Sequence, residues 1–291
     1  MSQEQALNKL SEDIRLRGLA LHTNQVYVAC VSKFLDYSQV PINELDTQHA
    51  RTFLSHLADC KLAPSTINCY AAAIRFFFAI TLNRYLNYLQ VPRVKRHKKL
   101  PIILSRVEVA TLINACNDSK HKAFFLLAYG SGLRISEIVK LRTTDIRSKG
   151  EMRLFIRDAK GHKDRFTILS QNTLETLRDY WREYRPENPE GFLFPDTCGS
   201  KHIHSSDVAT ALQEALIRAS ITKKITCHGL RHQFASNLLE DGYSLLQIKD
   251  LLGHSSIRST VIYLHIADTS KGIVSPADTL SAASFTDNSN D

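Results

Sequence analysis

A short basic segment flanked by two prolines divides this chain. It lies between Pro92 and Pro101 and contains no acidic residue. Its five basic residues are Arg93, Lys95, Arg96, Lys98 and Lys99. Because proline disfavours helix in the residue that precedes it, this pattern predicts an extended interdomain linker at residues 92–104. A chain of 291 residues is long enough for about two domains, so we expect one on each side of the linker.

The charge of this linker favours contact with a polyanion over a role in solubility alone. The whole chain has a formal net charge of +8, but the region up to Pro92 is nearly neutral, with eight basic and seven acidic residues. A dense group of uncompensated cations is typical of a surface that binds nucleic acid. We therefore predict that the five basic residues of the linker contact DNA.

The region before the linker, residues 1–91, has helical periodicity in four segments. The first carries Leu7, Leu10, Ile14 and Leu16 and stops before Gly18. The next three are expected to start at Thr23, Thr47 and Ser65, since these residue types favour helix N-termini. Four short helices in about 90 residues predict a bundle that can fold by itself.

The region after the linker, residues 105–267, alternates between helical patterns and two short strands. The expected strands are 152–157 and 165–169, with a hairpin turn at Lys160–Lys163 between them. The expected helices are 107–116, 123–129, 135–141, 171–184, 205–219, 231–240, 244–252 and 256–264. The fold class is therefore mainly α with one small β-sheet. The tail, residues 268–291, is acidic and rich in Ser, Ala, Asp and Asn, so we expect it to be disordered or to order only against a partner.

Cysteine usage and hydropathy indicate a cytoplasmic protein. The six cysteines form no C-x-x-C pair, no leader-like apolar segment opens the chain, and no apolar run approaches about 18 residues. We expect free thiols and no membrane segment. A zinc site could be assembled from Cys198, His202, His204 and Cys227, but their spacing fits no standard structural pattern. No metal and no cofactor is predicted.

Six side chains together suggest chemistry on a phosphodiester. They are Arg134, Lys160, His228, Arg231, His254 and Tyr263. Guanidinium groups suit the oxygens of a phosphate, and a phenol can act as a nucleophile. No matching cluster of carboxylates accompanies them. This inventory suits holding a phosphodiester and attacking it without a metal ion.

Each of these residues also has an ordinary structural interpretation. Arg134 could be a surface charge, although Glu137 is spaced to hold its guanidinium across one helical turn. His228 and His232 stand four apart as in the zinc motif H-E-x-x-H, but Gly229 replaces the required glutamate. His232 is assigned to capping or packing. A tyrosine such as Tyr263 in an apolar stretch is normally a core residue. The order of all these segments along the chain weakens the ordinary interpretations.

Four segments in this order resemble the tyrosine recombinases, the phage-integrase and Xer-type family. The segments are GSGLRISEIVKLR, AKGHKDR, HGLRHQFASNLL and LLGHSSIRSTVIYLH. The resemblance implies an N-terminal helical core-binding domain of SAM-like fold and a mixed α/β catalytic domain of the DNA breaking-rejoining type. It also implies a partner, double-stranded DNA, and a tetramer on paired sites, with the tail after Ala267 a candidate for docking onto a neighbour.

The resemblance assigns roles by position. Arg134 and Arg231 match the two catalytic arginines, His254 the later histidine, and Tyr263 the nucleophile that would form a 3′-phosphotyrosyl bond. His228 matches the histidine of the H-x-x-R box. Lys160 matches the lysine of the β-hairpin, the expected acid for the leaving 5′-oxygen, with Lys163 as the alternative. The expected function is site-specific recombination without metal or ATP. The rival functions are DNA relaxation of the type IB topoisomerase kind and catalytically silent DNA binding.

Overall fold

The computed structural model describes residues 1–87, 89, 91, 93–95, 101–159, 163–184 and 188–265, with only the backbone at 158, 159, 163 and 265. The chain divides into two compact units, Met1–Lys98 and Lys99–Asp291. Within the described ranges, no helix has the length and apolar character needed to cross a membrane. Each unit has its own buried apolar cluster.

The N-terminal unit contains the four predicted helices. They are α1 (Gln3–Leu16), α2 (Leu21–Ser38), α3 (Thr47–Asp59) and α4 (Pro64–Phe76), and a π-helical turn, Phe77–Thr81, continues α4. The prediction that α2 starts at Thr23 is wrong, because the helix begins at Leu21 after Ala20, which makes no side-chain cap. Helix α4 starts one residue early, since Pro64 fits the first helical position, where no N–H donor is needed.

The core of this unit is aromatic. The rings of Phe53 and Phe78 lie 5.6 and 6.2 Å from the ring of Phe34, within the range of favourable aromatic pairs. Leu10 and Ile14 bury their side chains fully from α1, as the periodicity predicts. Leu16 does not, because it ends the helix and remains 80% exposed.

The C-terminal unit is also mainly helical. Its helices are α5 (Arg106–Asn114), α6 (Ser119–Gly130), α7 (Ile135–Ile138), α8 (Gln171–Tyr184), α9 (Ser205–Arg218), α10 (Cys227–Glu240) and α11 (Leu245–Leu252). Short 3₁₀ segments occupy Thr143–Asp145, Ile257–Ser259 and Val261–His265. Helix α6 is central, because every residue from Ala123 to Ala128 is buried and the helix contacts α5, α7, α8, α9 and α10.

A small antiparallel sheet completes this unit. The strands β1 (Ile146–Arg147), β2 (Arg153–Ala159) and β3 (Lys163–Ile168) pair in the order β1-β2-β3. Leu154 and Ile156 point into the core, whereas the rings of Phe155 and Phe166 pair on the other face, 5.1 Å apart. The two predicted strands are thus confirmed as a hairpin. Residues 160–162 of its expected turn lie outside the described residues.

Several helices of this unit differ from the sequence prediction in their bounds, and α6 starts at Ser119, four residues before the expected position. Helix α7 is one turn long, because Lys140 and Leu141 donate backbone hydrogen bonds three residues back and tighten the chain. Helix α10 starts four residues earlier than predicted, because Oγ1 of Thr226 accepts a hydrogen bond from the N–H of Gly229 and caps the helix there. The predicted helix at 256–264 is instead two 3₁₀ segments.

Candidate active site

Most of the candidate residues are brought together by the packing of α6 and α10. Arg134 follows α6 and is the N-cap residue of α7, while His228 and Arg231 lie on α10. His254 follows the end of α11, and Tyr263 lies in the 3₁₀ segment Val261–His265, which packs against α10. Arg134 is far from the other three segments in sequence, so only the tertiary fold brings it to them.

Gly132 allows the chain to pass close to α10 before Arg134. Its φ is +64°, and a Cβ atom there would lie 2.3 Å from Cδ1 of Phe234. No side chain could be accommodated without moving that ring. The carbonyl of Gly132 accepts a hydrogen bond of 2.7 Å from Nη1 of Arg231. The tight turn therefore holds the guanidinium of Arg231 and also leads the chain to Arg134.

Arg231 is a buried, fixed cation. Its side chain is 1% exposed, and Nη2 donates to the carbonyl of Leu252 at 2.7 Å. Its Nε is buried and has no hydrogen-bond partner within the part of the chain that the structure describes. Burial, followed by the charge of Arg134, lowers the pKa of Arg231 to about 10. The guanidinium therefore remains charged at neutral pH.

The carboxylate of Glu137 contacts three arginines. Arg134 donates to it at 2.6 Å, Arg165 donates from both terminal nitrogens at 2.9 Å, and Nη1 of Arg231 lies 3.6 Å away. The predicted contact between Glu137 and Arg134 is confirmed. Burial by itself would raise the pKa of Glu137, but the guanidiniums of Arg165 and Arg134 hold it at about 2. Three cations and one anion leave an uncompensated positive charge at this place.

Arg165 was not among the predicted site residues. It lies on β3, is 9% exposed, and donates from Nε to the carbonyl of Leu251 at 3.0 Å. A Cβ atom at Gly253 would lie 2.8 Å from its Cδ. The only sequence signal was its place in the AKGHKDR segment. Its role depends on which face of β3 meets α11, and that is a matter of packing.

His254 is held in a turn beside the arginines. The preceding residue, Gly253, has a φ of +63° and ends α11. Nδ1 of His254 lies 2.9 Å from Oγ1 of Thr260, which is fully buried. Burial and the charges of Arg231 and Arg134 lower the pKa of His254 to about 4, so the imidazole is neutral at pH 7.

Tyr263 is buried and its hydroxyl has a histidine partner. The residue is 1% exposed, and its Oη lies 3.0 Å from Nδ1 of His232. Burial raises the pKa of Tyr263 to about 12, although the charges of Arg231 and Arg134 act in the opposite direction. The phenol is thus protonated at neutral pH. The assignment of His232 to capping or packing missed this contact, because no sequence pattern specifies which histidine of α10 faces residue 263.

His228 lies one turn before His232 on α10. It is exposed, and its ring meets that of His232 edge to face, with the centroids 4.6 Å apart. Partial removal from water, followed by the charges of Arg231 and Arg134, lowers the pKa of His228. His228 therefore borders the group of arginines. The imidazole that contacts the phenol of Tyr263 is that of His232.

Several predicted residues lie outside the described part of the chain. They are Lys160, Arg96, Lys98 and Lys99, together with the tail at 268–291. Arg93 and Lys95 are described and exposed. Between them, the backbone N–H of Val94 donates to Oδ1 of Asn68 at 3.0 Å, and its carbonyl accepts from Nδ2 at 2.9 Å. The start of the predicted linker is thereby fixed to α4.

The six cysteines are free thiols. Within the described ranges, no three His, Cys, Asp or Glu side chains are grouped so that they could hold a metal ion. The zinc site considered from Cys198, His202, His204 and Cys227 is therefore not formed.

Both halves of the chain match models of known protein families. Residues 103–270 match the phage integrase family, and residues 6–91 match the N-terminal SAM-like domain of phage integrases. The first match alone covers more than half of the chain. The two matched ranges stand on either side of the basic segment.

Named relatives are similar over most of their length. The putative integrase/recombinase y4qK of Sinorhizobium fredii is 40% identical over 261 residues, which is 89% of this chain and 83% of the relative. The tyrosine recombinase XerD of Rickettsia conorii is 31% identical over 276 residues, 86% of this chain and 90% of the relative. The XerH recombinase bound to its difH substrate after cleavage has the same fold, with a TM-score of 0.73 at 20% identity, covering 87% of this chain and 79% of that one.

Proposed function

This chain belongs to the phage integrase family of tyrosine recombinases, and from that membership we propose that it cleaves and rejoins double-stranded DNA through Tyr263. The observation that carries the proposal is that the guanidiniums of Arg134 and Arg231 act on the buried phenol of Tyr263 and that His254 lies beside the same two guanidiniums. The reaction is a transfer of a DNA phosphodiester to the phenol, without ATP or metal. The proposed division of the chain is a DNA-binding domain at 1–91, a linker at 92–104, a catalytic domain at 105–267 and a tail at 268–291.

The arginines would bind the phosphodiester that is cut. Arg231 is fixed by two backbone carbonyls, and Arg134 by Glu137, so neither guanidinium must be reoriented when negative charge develops on the phosphate. Removing one preorganised donor of this kind typically costs about 2.7–4 kcal/mol of transition-state stabilisation. If Oγ1 of Thr260 donates to Nδ1 of His254, Nε2 of that imidazole carries its proton and can donate to the phosphate.

Tyr263 would be the nucleophile. A phenolate is a far better leaving group than an alkoxide, because its pKa is about 10 in water. The 3′-phosphotyrosyl bond therefore keeps the energy of the phosphodiester, and the 5′-hydroxyl of another strand can reverse it. The residue is 1% exposed, so the proposal requires that side chains around Oη move aside for the phosphate to reach it.

Lys160 would protonate the departing 5′-oxygen. In the sequence it comes directly after the last residue of β2, and Arg165 on the returning strand β3 contacts the carboxylate that also holds Arg134. This connection supports the placement of the hairpin near the phosphate. Lys163 in the same hairpin is the alternative acid. A substrate with sulfur in place of the 5′-bridging oxygen distinguishes them, since a thiolate leaves without a proton and restores cleavage only to the variant that lacks the acid.

Arg93 and Lys95 would contribute phosphate contacts, and Arg96, Lys98 and Lys99, which follow them in the sequence, would contribute further ones. Recombination would require a tetramer on two paired sites, with the tail after residue 267 docking onto a neighbouring protomer. Light scattering tests this assembly, because it measures the mass of the complex that the protein forms on its DNA site, identified by the capture experiment described next.

The decisive experiment is capture of a covalent adduct. The wild-type chain is incubated with fragmented chromosomal DNA of the organism that encodes it, and protein-linked fragments are isolated and sequenced. Tyr263→Phe should bind the captured sequence in a gel-shift assay with similar affinity but form no adduct. An adduct in that variant, or none with the wild type, contradicts the assignment. Relaxation of a supercoiled plasmid that lacks the captured sequence would instead favour a type IB topoisomerase activity.

A further inference from the structure

We propose that His232, and not His228, takes the proton of Tyr263 when the phenol attacks the phosphodiester. The inference rests on the proposed function of Tyr263 and assigns one more residue to its reaction. His232 touches a reacting atom, the phenolic oxygen, so the role is catalytic.

The geometry distinguishes His232 from His228 and His254. Its Nδ1 lies 3.0 Å from Oη of Tyr263, within direct hydrogen-bonding distance. The two rings are tilted at 57°, with their centroids 5.6 Å apart. Nδ1 of His254 is engaged by Oγ1 of Thr260, and His228 stacks edge to face on His232 instead of meeting the phenol.

The charges around His232 keep it neutral, as a proton acceptor must be. Burial, then His228 and Arg231 on the same helix, lower the pKa of His232 to about 4. The hydroxyl of Tyr263 contacts it from the 3₁₀ segment. Burial and two arginines lower the pKa of His254, and His232 adds to their effect. A bound phosphodiester brings a negative charge that opposes the effect of the guanidiniums. DNA should therefore make His232 a stronger base at the moment when one is needed.

The protons of the step balance, with Lys160 as the acid of the proposed function. Oη of Tyr263 forms a bond to phosphorus while its proton moves to Nδ1 of His232. The bond from phosphorus to the 5′-oxygen breaks, and that oxygen receives a proton from Lys160. Rejoining reverses the steps, with protonated His232 returning its proton to the departing phenolate.

Two variants of His232 separate proton transfer from orientation. His232→Phe keeps a ring of similar size but removes Nδ1, whereas His232→Asn keeps a polar group near that position that cannot accept a proton. With a nicked duplex of the sequence captured by the wild type, the single-turnover rate of adduct formation should fall about 100-fold or more in both variants. Gel-shift binding to the same duplex should be retained, which excludes misfolding as the cause.

The pH dependence of the rate of adduct formation is compared in the wild type, His232→Asn and the matched control His228→Asn. The wild-type rate should fall as the pH is lowered through the pKa of His232. His228→Asn should keep this acid limb, even where its rate is lower, and His232→Asn should lose it. A wild-type rate in His232→Asn, or loss of the limb only in His228→Asn, would overturn the inference and leave the role of Tyr263 intact. Absence of adduct in the wild type would instead contradict the proposed function itself.

A measurement without DNA tests the contact directly. In full-length protein labelled with ¹⁵N-histidine, Nδ1 of His232 should show the chemical shift of an unprotonated acceptor, and Tyr263→Phe should change that shift. A resonance unaffected by Tyr263→Phe would mean that the phenol does not bond to His232, and the inference would fail whatever the kinetics.

Discussion

At the scale of single residues, the site depends on one buried carboxylate among three guanidiniums. Glu137 is 7% exposed on its side chain and contacts Arg134, Arg165 and Arg231. A buried charge is stable only when it is paired with an opposite charge and hydrogen-bonded. The carboxylate of Glu137 is paired with arginines and accepts hydrogen bonds from two of them. The carboxylate holds the three arginines in place. Because a single anion cannot neutralise three cations, the site keeps the positive charge that a phosphate requires.

Glu137→Gln should therefore lower stability in a pH-dependent way. The pKa of Glu137 falls from an ordinary 4.5 to about 2 on folding, which corresponds to about 3 kcal/mol. A carboxylate whose pKa is lowered by folding stabilises the fold at any pH above its pKa in the unfolded chain. This stabilisation is lost as the pH falls through its pKa in the folded chain. The deficit of Glu137→Gln in urea unfolding should be about 3 kcal/mol at pH 7 and should shrink by half or more at pH 3.

The control for this measurement is Glu190→Gln, which changes an exposed carboxylate of the same unit. It should leave the free energy of unfolding nearly unchanged at both pH values. A deficit for Glu137→Gln that stays constant with pH would show that the carboxylate does not titrate with this depressed pKa.

At the scale of elements, Arg165 connects β3 to α7 and to the end of α11. Its terminal nitrogens bind Glu137, and its Nε binds the carbonyl of Leu251, while Arg231 binds the carbonyl of Leu252. The last carbonyls of a helix have no partner within it and carry partial negative charge, so cations there are stabilising. The two arginines thus fix the end of α11, and with it the turn that carries His254.

Arg165→Lys should lower both stability and the rate of cleavage. Lysine keeps the charge but lacks the planar fork, so the paired bonds to Glu137 and the bond to Leu251 cannot all form. We expect a loss of roughly 1.5–3 kcal/mol in urea unfolding and slower adduct formation on the captured duplex.

Arg157→Lys is a suitable comparison, because Arg157 lies on the neighbouring strand β2 and binds Asp145 with a side chain that is 56% exposed. Its effect on stability should be smaller, about 1 kcal/mol or less. Equal effects of the two substitutions on stability and on cleavage would argue against a particular role for Arg165.

At the scale of the whole molecule, two units with separate cores are joined through a basic segment whose start is fixed. The amide of Asn68 holds Val94 by both backbone groups, so the neighbouring residues Arg93 and Lys95 are presented from an ordered position on the N-terminal unit. Ordering this backbone before binding reduces the entropy lost when the two residues contact phosphates.

Replacing Arg93 and Lys95 together by glutamine should weaken the salt dependence of DNA binding. Each phosphate contact contributes about −0.9 to the slope of log K against log salt concentration. Loss of two contacts should therefore reduce the magnitude of the slope by about 1.8, as measured by fluorescence anisotropy on the captured duplex. The double replacement of Lys9 and Arg15, two exposed residues of α1, provides the control. An unchanged slope in the linker variant would mean that these residues do not contact phosphates.

The sequence by itself determined the fold class, because periodicity, caps and turn residues act over short distances along the chain. The four N-terminal helices, the β2–β3 hairpin and the pairing of Arg134 with Glu137 across one helical turn all follow from such local patterns. Only the tertiary structure decided that Arg165 shares that carboxylate and that His232 faces Tyr263. These contacts join residues 28 and 31 positions apart. They depend on which faces of packed elements meet, and no local pattern specifies that choice.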